Sequence, residues 1–166
     1  MRKLLMSACL LGKRVRYDGG SLSVDDQIVE TWRTEGRIVS VCPEVEAGMT
    51  IPRTPAEILG GSGGNVLDGD AAVVDKSGKV VTDEFIAGAS VALELCQTFN
   101  IDIAILAESS PSCGSSVIYD GGFSGTKIPG MGVTAALLRQ HGVQVFSQHE
   151  IALAYEAMQR AHAHGR

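Results

Sequence analysis

Four short apolar runs, each bounded by polar or turn residues and rich in branched side chains, punctuate the chain at residues 3–8, 37–41, 101–106 and 143–146. Their length and composition predict buried strands rather than helices. Between and after them, residues 24–34, 84–100, 133–141 and 149–161 carry apolar positions at helical spacing. Two further segments read as hairpins. Residues 71–75 and 79–82 flank Lys76-Ser77-Gly78, and residues 117–119 run through Asp120-Gly121-Gly122 to Phe123. Gly60-Gly61-Ser62-Gly63-Gly64 reads as a flexible insertion. Alternation of buried strand and amphipathic helix predicts one α/β domain over residues 1–166. It is a three-layer sandwich with a mostly parallel, Rossmann- or flavodoxin-like sheet.

Composition narrows the partners. With 45% hydrophobic residues in 166 there is enough apolar material for a core, and with only 5% aromatics the aliphatic side chains must fill it. A net charge of −5 argues against a nucleic-acid polymer held by its phosphates. No run of 18 apolar residues predicts a membrane span. Met1-Arg2-Lys3 ahead of an apolar stretch resembles the start of a signal peptide. However, only about five apolar residues precede Cys9, fewer than the 7–15 such a region needs. The expectation is therefore the first strand of a cytoplasmic domain.

The chemistry lies with the cysteines. Cys9, Cys42, Cys96 and Cys113 are separated by 33, 54 and 17 residues, so no Cys-x-x-Cys pair exists. Position is more telling. Cys9 follows the first predicted strand, Cys42 ends the second, and Cys113 lies in the polar loop after the third. In a parallel sheet those carboxyl ends share the edge where α/β folds bind ligands. Cys96 instead falls in register with Phe85, Ala89, Ala92 and Phe99, which predicts a core position. Three thiolates on one edge suit zinc or an iron–sulfur cluster, and three ligands leave one position open. A phosphatase-type nucleophile is excluded, because Val15 and Tyr119 stand where its arginine belongs, six residues after Cys9 and Cys113.

The surroundings of these cysteines carry a resemblance. Ser7-Ala8-Cys9-Leu10-Leu11-Gly12, Arg16-Tyr17-Asp18-Gly19-Gly20, Cys42-Pro43-Glu44 and Pro52-Arg53-Thr54-Pro55-Ala56-Glu57 occur in that order. Ser110-Pro111-Ser112-Cys113-Gly114, Tyr119-Asp120-Gly121 and Gly132-Val133-Thr134-Ala135 follow. Together they resemble the thiouracil desulfurase family, over residues 4–146. The resemblance implies an enzyme that removes sulfur from 2-thiouracil or related thiolated pyrimidines, thiouridine nucleotides included, releasing hydrogen sulfide without net redox change. It implies a 4Fe–4S cluster on Cys9, Cys42 and Cys113, whose fourth iron takes the substrate sulfur. It also implies Glu44 as the acidic group and Ser110 as the hydroxyl. Ala107 departs from the pattern, since many members carry Lys there.

The remaining polar positions have two readings each. Arg16 and Asp18, in the loop after Cys9, either contact substrate or pair with each other to order the loop. Arg53 can grip a substrate phosphate or carbonyl, or balance cluster charge. Gly130-Met131-Gly132-Val133-Thr134 opens a helix that either receives a phosphate or is merely capped. The alternative to an enzyme is a non-catalytic three-cysteine metal-binding module. A flavodoxin-like nucleotide binder lacks the Gly-x-Gly-x-x-Gly fingerprint, because Cys9-Leu10-Leu11-Gly12 occupies its place.

Overall fold

A computed structural model describes residues 1–160. In chain order the elements are β1 (Leu4–Ser7), α1 (Gln27–Thr34), β2 (Ile38–Val41), a one-turn α2 (Pro43–Glu46), β3 (Ala56–Leu59), α3 (Gly63–Leu67) and β4 (Ala72–Asp75). They continue with α4 (Thr82–Thr98), β5 (Ile103–Leu106), β6 (Val117–Tyr119), β7 (Lys127–Pro129), α5 (Val133–Gln140), β8 (Gln144–Ser147) and α6 (Ile151–Gln159). The four runs read from the sequence as buried strands form one sheet in the order β2-β1-β5-β8. All its pairings are parallel. β1 and β5, the central pair, are buried at every position and apolar at all but Ser7, as strands covered on both faces are.

Strand order reverses at β1, because β2 lies on one side of it while β5 and β8 lie on the other. With right-handed crossovers this reversal places α1 on one face and α4 and α5 on the opposite face. α6 returns to the face of α1, where Tyr155 meets Trp32 with ring centroids 6.4 Å apart. The three-layer expectation is borne out, and the reversal opens a crevice beyond the carboxyl ends of β1 and β5. α4 buries Phe85, Gly88, Ala89, Ala92 and Cys96 along one stripe, so Cys96 is the core residue its register predicted. Gly88 is forced by contact, since a Cβ there would overlap the Pro43 carbonyl oxygen of α2. No helix among the described residues is long and apolar enough to cross a membrane.

Four local expectations are corrected. The segment 71–75 does form a strand, but its partner is β3, antiparallel, while residues 79–82 keep only an isolated bridge, Val74 to Val80. Thr82 instead enters α4 and its hydroxyl accepts the Val73 amide, so the helix claims the second arm of the predicted hairpin. β6 does turn back on itself, but onto β7 at residues 127–129, beyond Phe123. The Gly60–Gly64 stretch is not a loose insertion. Gly63 and Gly64 open α3 under a Ser62–Asn65 capping box, and Gly63 is buried against the Gly132 backbone. α1 begins at Gln27 rather than at residue 24 because Asp26 caps it, accepting the Ile28 and Val29 amides. Residue 161 of the last predicted helix lies outside the described residues, as do His162 and His164.

Candidate active site

Each crevice cysteine is delivered by a local device at a strand end. β1 runs into a single 3₁₀ turn, Ala8–Leu11, which Gly12 closes at φ +92°. The returning chain is tied to it by Leu22 N–H donating to the Cys9 carbonyl and Val24 N–H to the Leu10 carbonyl. Cys42 is the N-cap of α2, and Pro43 at the first helical position needs no amide partner. Cys113 sits in the loop after β5, where the Ser110 hydroxyl oxygen accepts from the amides of Ser112 and Cys113 at 3.1 and 3.2 Å. At the roots of these loops, the Ser7 hydroxyl accepts the Ala107 amide and locks β1 to β5.

A cavity of about 350 Å³ occupies the crevice, and Cys9, Cys42, Cys113, Glu44 and Ser110 all line it. A larger groove of about 620 Å³ lies at the other edge of the sheet, around Arg2, Cys96 and Asp102, away from these groups. Cys113 is only 6% exposed, while Cys9 and Cys42 are half-buried. Burial pushes the Cys9 thiol up to about 11; the Arg16 guanidinium opposes the rise and Cys42 adds to it. Burial likewise raises Cys42, against the Val45 amide, and raises Cys113, to which Cys9 contributes. The Glu44 carboxylate adds to the rise at all three sulfurs, so one acid and three thiols share a common field. The Cys42 thiol donates weakly to the Val15 carbonyl, at 3.8 Å.

Glu44 is fixed by Arg53. Two guanidinium nitrogens converge on its Oε2, Nε at 2.7 Å and Nη2 at 2.5 Å, with the side chains 15% and 7% exposed. The rest of the Arg53 fork is spent on the Val15 and Thr50 carbonyls. Arg53 therefore braces Glu44 and the 13–17 loop from within the cavity wall. Arg16 lines the same cavity and makes no ion pair or side-chain hydrogen bond among the described residues. The anticipated Arg16–Asp18 pair does not form. Asp18 is exposed, lies off the cavity wall and turns back to accept the Gly20 amide at 2.8 Å. Ala107 is buried at the root of the loop.

Sequence reading missed Glu108. Its carboxylate lines the cavity and accepts hydrogen bonds from Ser109, Ser115, Ser116 and Val117. An acidic residue between a buried strand and a run of serines and glycines was the available signal. Glu57 was also passed over as a separate element; it accepts the Gly121 and Phe123 amides and secures the β6–β7 tip at the cavity mouth.

Three thiols on one cavity wall are a donor set of the kind an iron–sulfur cluster takes. Among the described residues no three His, Cys, Asp or Glu side chains converge tightly enough to hold a single metal ion. A cubane takes each thiolate at a separate iron, and Cys9, Cys42 and Cys113 offer three thiols to one cavity. Ligation requires thiolates, and the buried protons leave when a cation replaces them.

Known proteins give the same picture. Residues 4–150 match the 2-thiouracil desulfurase family. An uncharacterized protein of Bacillus subtilis (strain 168), YbbK, is 45% identical over 148 residues, covering 89% of this chain and 97% of that protein. A solved structure described as the [4Fe-4S]-dependent thiouracil desulfidase TudS is 44% identical, with a TM-score of 0.87 over 96% of this chain and 99% of that one. With three of its thiols gathered at the crevice and a match over almost its whole length, the chain belongs to the 2-thiouracil desulfurase family.

Proposed function

We propose that this protein is a desulfurase of thiolated pyrimidines that holds a [4Fe-4S] cluster on Cys9, Cys42 and Cys113. The observation that carries the reading is the meeting of these three thiols with Glu44 in one cavity, drawn from three separate strand ends. The 44% identity to a [4Fe-4S]-dependent desulfidase supports the cofactor. When bound by three thiolates, such a cluster supplies one iron with an open position, a soft Lewis acid matched to a thiocarbonyl sulfur. The net reaction exchanges C=S for C=O, consuming water and releasing hydrogen sulfide with no change of oxidation state.

The protein's own part follows from its bonding. Arg53 occupies only Oε2 of Glu44, so Oε1 is the oxygen left to take a proton from water or pass one to the pyrimidine nitrogen. Such transfer contributes typically about 10²–10⁴-fold. Ser110 has its oxygen engaged by two amides, and its hydroxyl proton is what it offers to substrate or water. Arg16, a cation of the cavity wall close enough to act on the Cys9 thiol, is the residue to meet negative charge on the substrate or the cluster. Arg53 serves indirectly, by aiming Glu44. Asp18 shapes the turn that carries Arg16.

Glu44→Gln keeps an oxygen for Arg53 but cannot take up a proton. Anaerobically reconstituted Glu44→Gln should keep its iron and release hydrogen sulfide from 2-thiouracil at least about a hundredfold more slowly than wild type. Unchanged turnover would remove Glu44 from the reaction. Wild-type protein that binds iron but releases no sulfide from any thiolated pyrimidine would favour the non-catalytic metal-binding module.

A further inference from the structure

The loop that presents Cys113 is built of small polar residues, Ser109 to Ser116, with little apolar surface to hold it in shape. Inside it, Ser110 makes one tight turn by accepting the Ser112, Cys113 and Gly114 amides, and a single carboxylate gathers the two ends of the loop. Oε1 of Glu108 accepts four amides, from Ser109 at 3.2 Å, Ser115 at 2.8 Å, Ser116 at 3.1 Å and Val117 at 3.2 Å. Oε2 accepts the hydroxyls of Ser115 at 2.8 Å and Ser116 at 3.0 Å. The consecutive amides of residues 115–117 thus make a concavity of N–H groups, and the acid that fills it belongs to the same chain. Glu108 is itself moored, because its own amide donates to Gln148 Oε1 at 2.9 Å in the segment after β8. The bight is tight enough to hold Ser109 at φ +71°, a left-handed conformation that a non-glycine residue keeps only when its surroundings impose it.

We propose that Glu108 is the positioning residue for Cys113, its carboxylate being the template around which the ligand-bearing loop closes. Without it, four amides and two hydroxyls lose their acceptor at once, and only the Ser110 turn, whose hydroxyl takes the Ser112 and Cys113 amides and whose carbonyl takes the Gly114 amide, is left to brace the loop from within. The contacts of Ser112 with Thr134 and of Arg139 with the Ser115 carbonyl hold the loop against α5, not in its own curl. Burial pushes this carboxyl up, but the six donors outweigh it and hold the group at about 2, as an anion. The inference rests on Cys113 being a cluster ligand, yet the placement of its thiol can be measured without the cluster.

The test is alkylation of cluster-free protein by iodoacetamide, followed residue by residue by peptide mass spectrometry, in wild type, Glu108→Ala and Glu108→Gln. Glu108→Ala should label Cys113 about tenfold faster or more, the effect of easing local opening by one lost bond or more, with Cys96 unchanged in the core. Glu108→Gln should fall between, since its amide oxygen still accepts N–H groups and its NH₂ can turn to the serine oxygens. The same order should hold for loss of iron to a chelator from reconstituted protein. Equal Cys113 labelling in all three proteins would overturn the proposal. So would Cys96 labelling that rises in step with Cys113 in both variants, because that reports general loosening. Failure of wild type to take up iron would instead strike the cluster reading and leave the labelling result standing.

Discussion

Gly132→Ala should cost stability and cluster together, for a steric reason that can be worked out in advance. Gly132 caps α5 at φ −71° and ψ 170°, a conformation any residue adopts, so backbone freedom does not explain the glycine. Space does. A Cβ there would lie 2.5 Å from the Ser112 carbonyl oxygen and 2.8 Å from the Cys113 nitrogen, where ordinary contact begins at 3.4 Å. The loop and α5 must therefore part by about 0.9 Å. That gap is spanned by Gly132 N–H to the Gly114 carbonyl, Val133 N–H to Pro111 and Thr134 N–H to Ser112, each at 2.8 Å. Stretching them by that amount takes them out of hydrogen-bond range. Overpacking costs about 1–3 kcal/mol and each lost bond about 1 kcal/mol net, while alanine stiffens the unfolded chain by only about 0.4–1 kcal/mol. The balance is a loss of about 3–6 kcal/mol, or roughly 6–24 °C in Tm for a domain of this size. Calorimetry on the cluster-free protein and iron analysis after reconstitution would measure both effects. Gly64→Ala is the control, since nothing lies within 4 Å of its added methyl. A Gly132→Ala protein that melts within about 2 °C of wild type and binds the same iron would refute the reasoning.

Arg53→Ala should shift the urea midpoint by the equivalent of about 3–5 kcal/mol, because it strands a buried carboxylate, and should slow sulfide release in the same protein. Arg53→Lys should recover little, since one ammonium cannot span Glu44, Thr50 and Val15 together; full recovery in a urea titration would contradict this. Glu108 predicts an acid limb. Its carboxyl is held at about 2 in the fold against an ordinary 4.5, so it stabilises the protein above pH 4.5, and that contribution fades as pH falls toward 2. The gap between wild type and Glu108→Gln in urea midpoint should therefore narrow over that range, and a gap independent of pH would argue against an ionised Glu108.

The parallel sheet was legible because its strands are buried on both faces, and an unbroken apolar run such as Ile103–Leu106 admits few other readings. Cys9, Cys42 and Cys113 could be brought together for the same reason, since strand ends of a parallel sheet share an edge. The hairpins were legible only in part, because pairing is decided across the fold. Residues 72–75 have the same strand pattern whether their full ladder is with 79–82 or, as it is, with Ala56–Leu59, leaving a single bridge to Val80. The role of Arg53 was hidden for a related reason. Nothing in Pro52-Arg53-Thr54 says that its fork closes on Glu44, nine residues earlier, rather than on a ligand. Gly60–Gly64 looked loose because glycine is read as freedom, whereas Gly63 is required by close packing against Gly132.

The most direct measurement is iron, acid-labile sulfide and hydrogen sulfide release from 2-thiouracil in anaerobically reconstituted wild type, Cys113→Ala and Cys96→Ala. The account predicts iron and sulfide in the proportions of a [4Fe-4S] cluster, with steady release of hydrogen sulfide, in wild type and Cys96→Ala. Cys113→Ala should lose both. Hydrogen sulfide released at the wild-type rate by Cys113→Ala, or by protein stripped of iron, would contradict it.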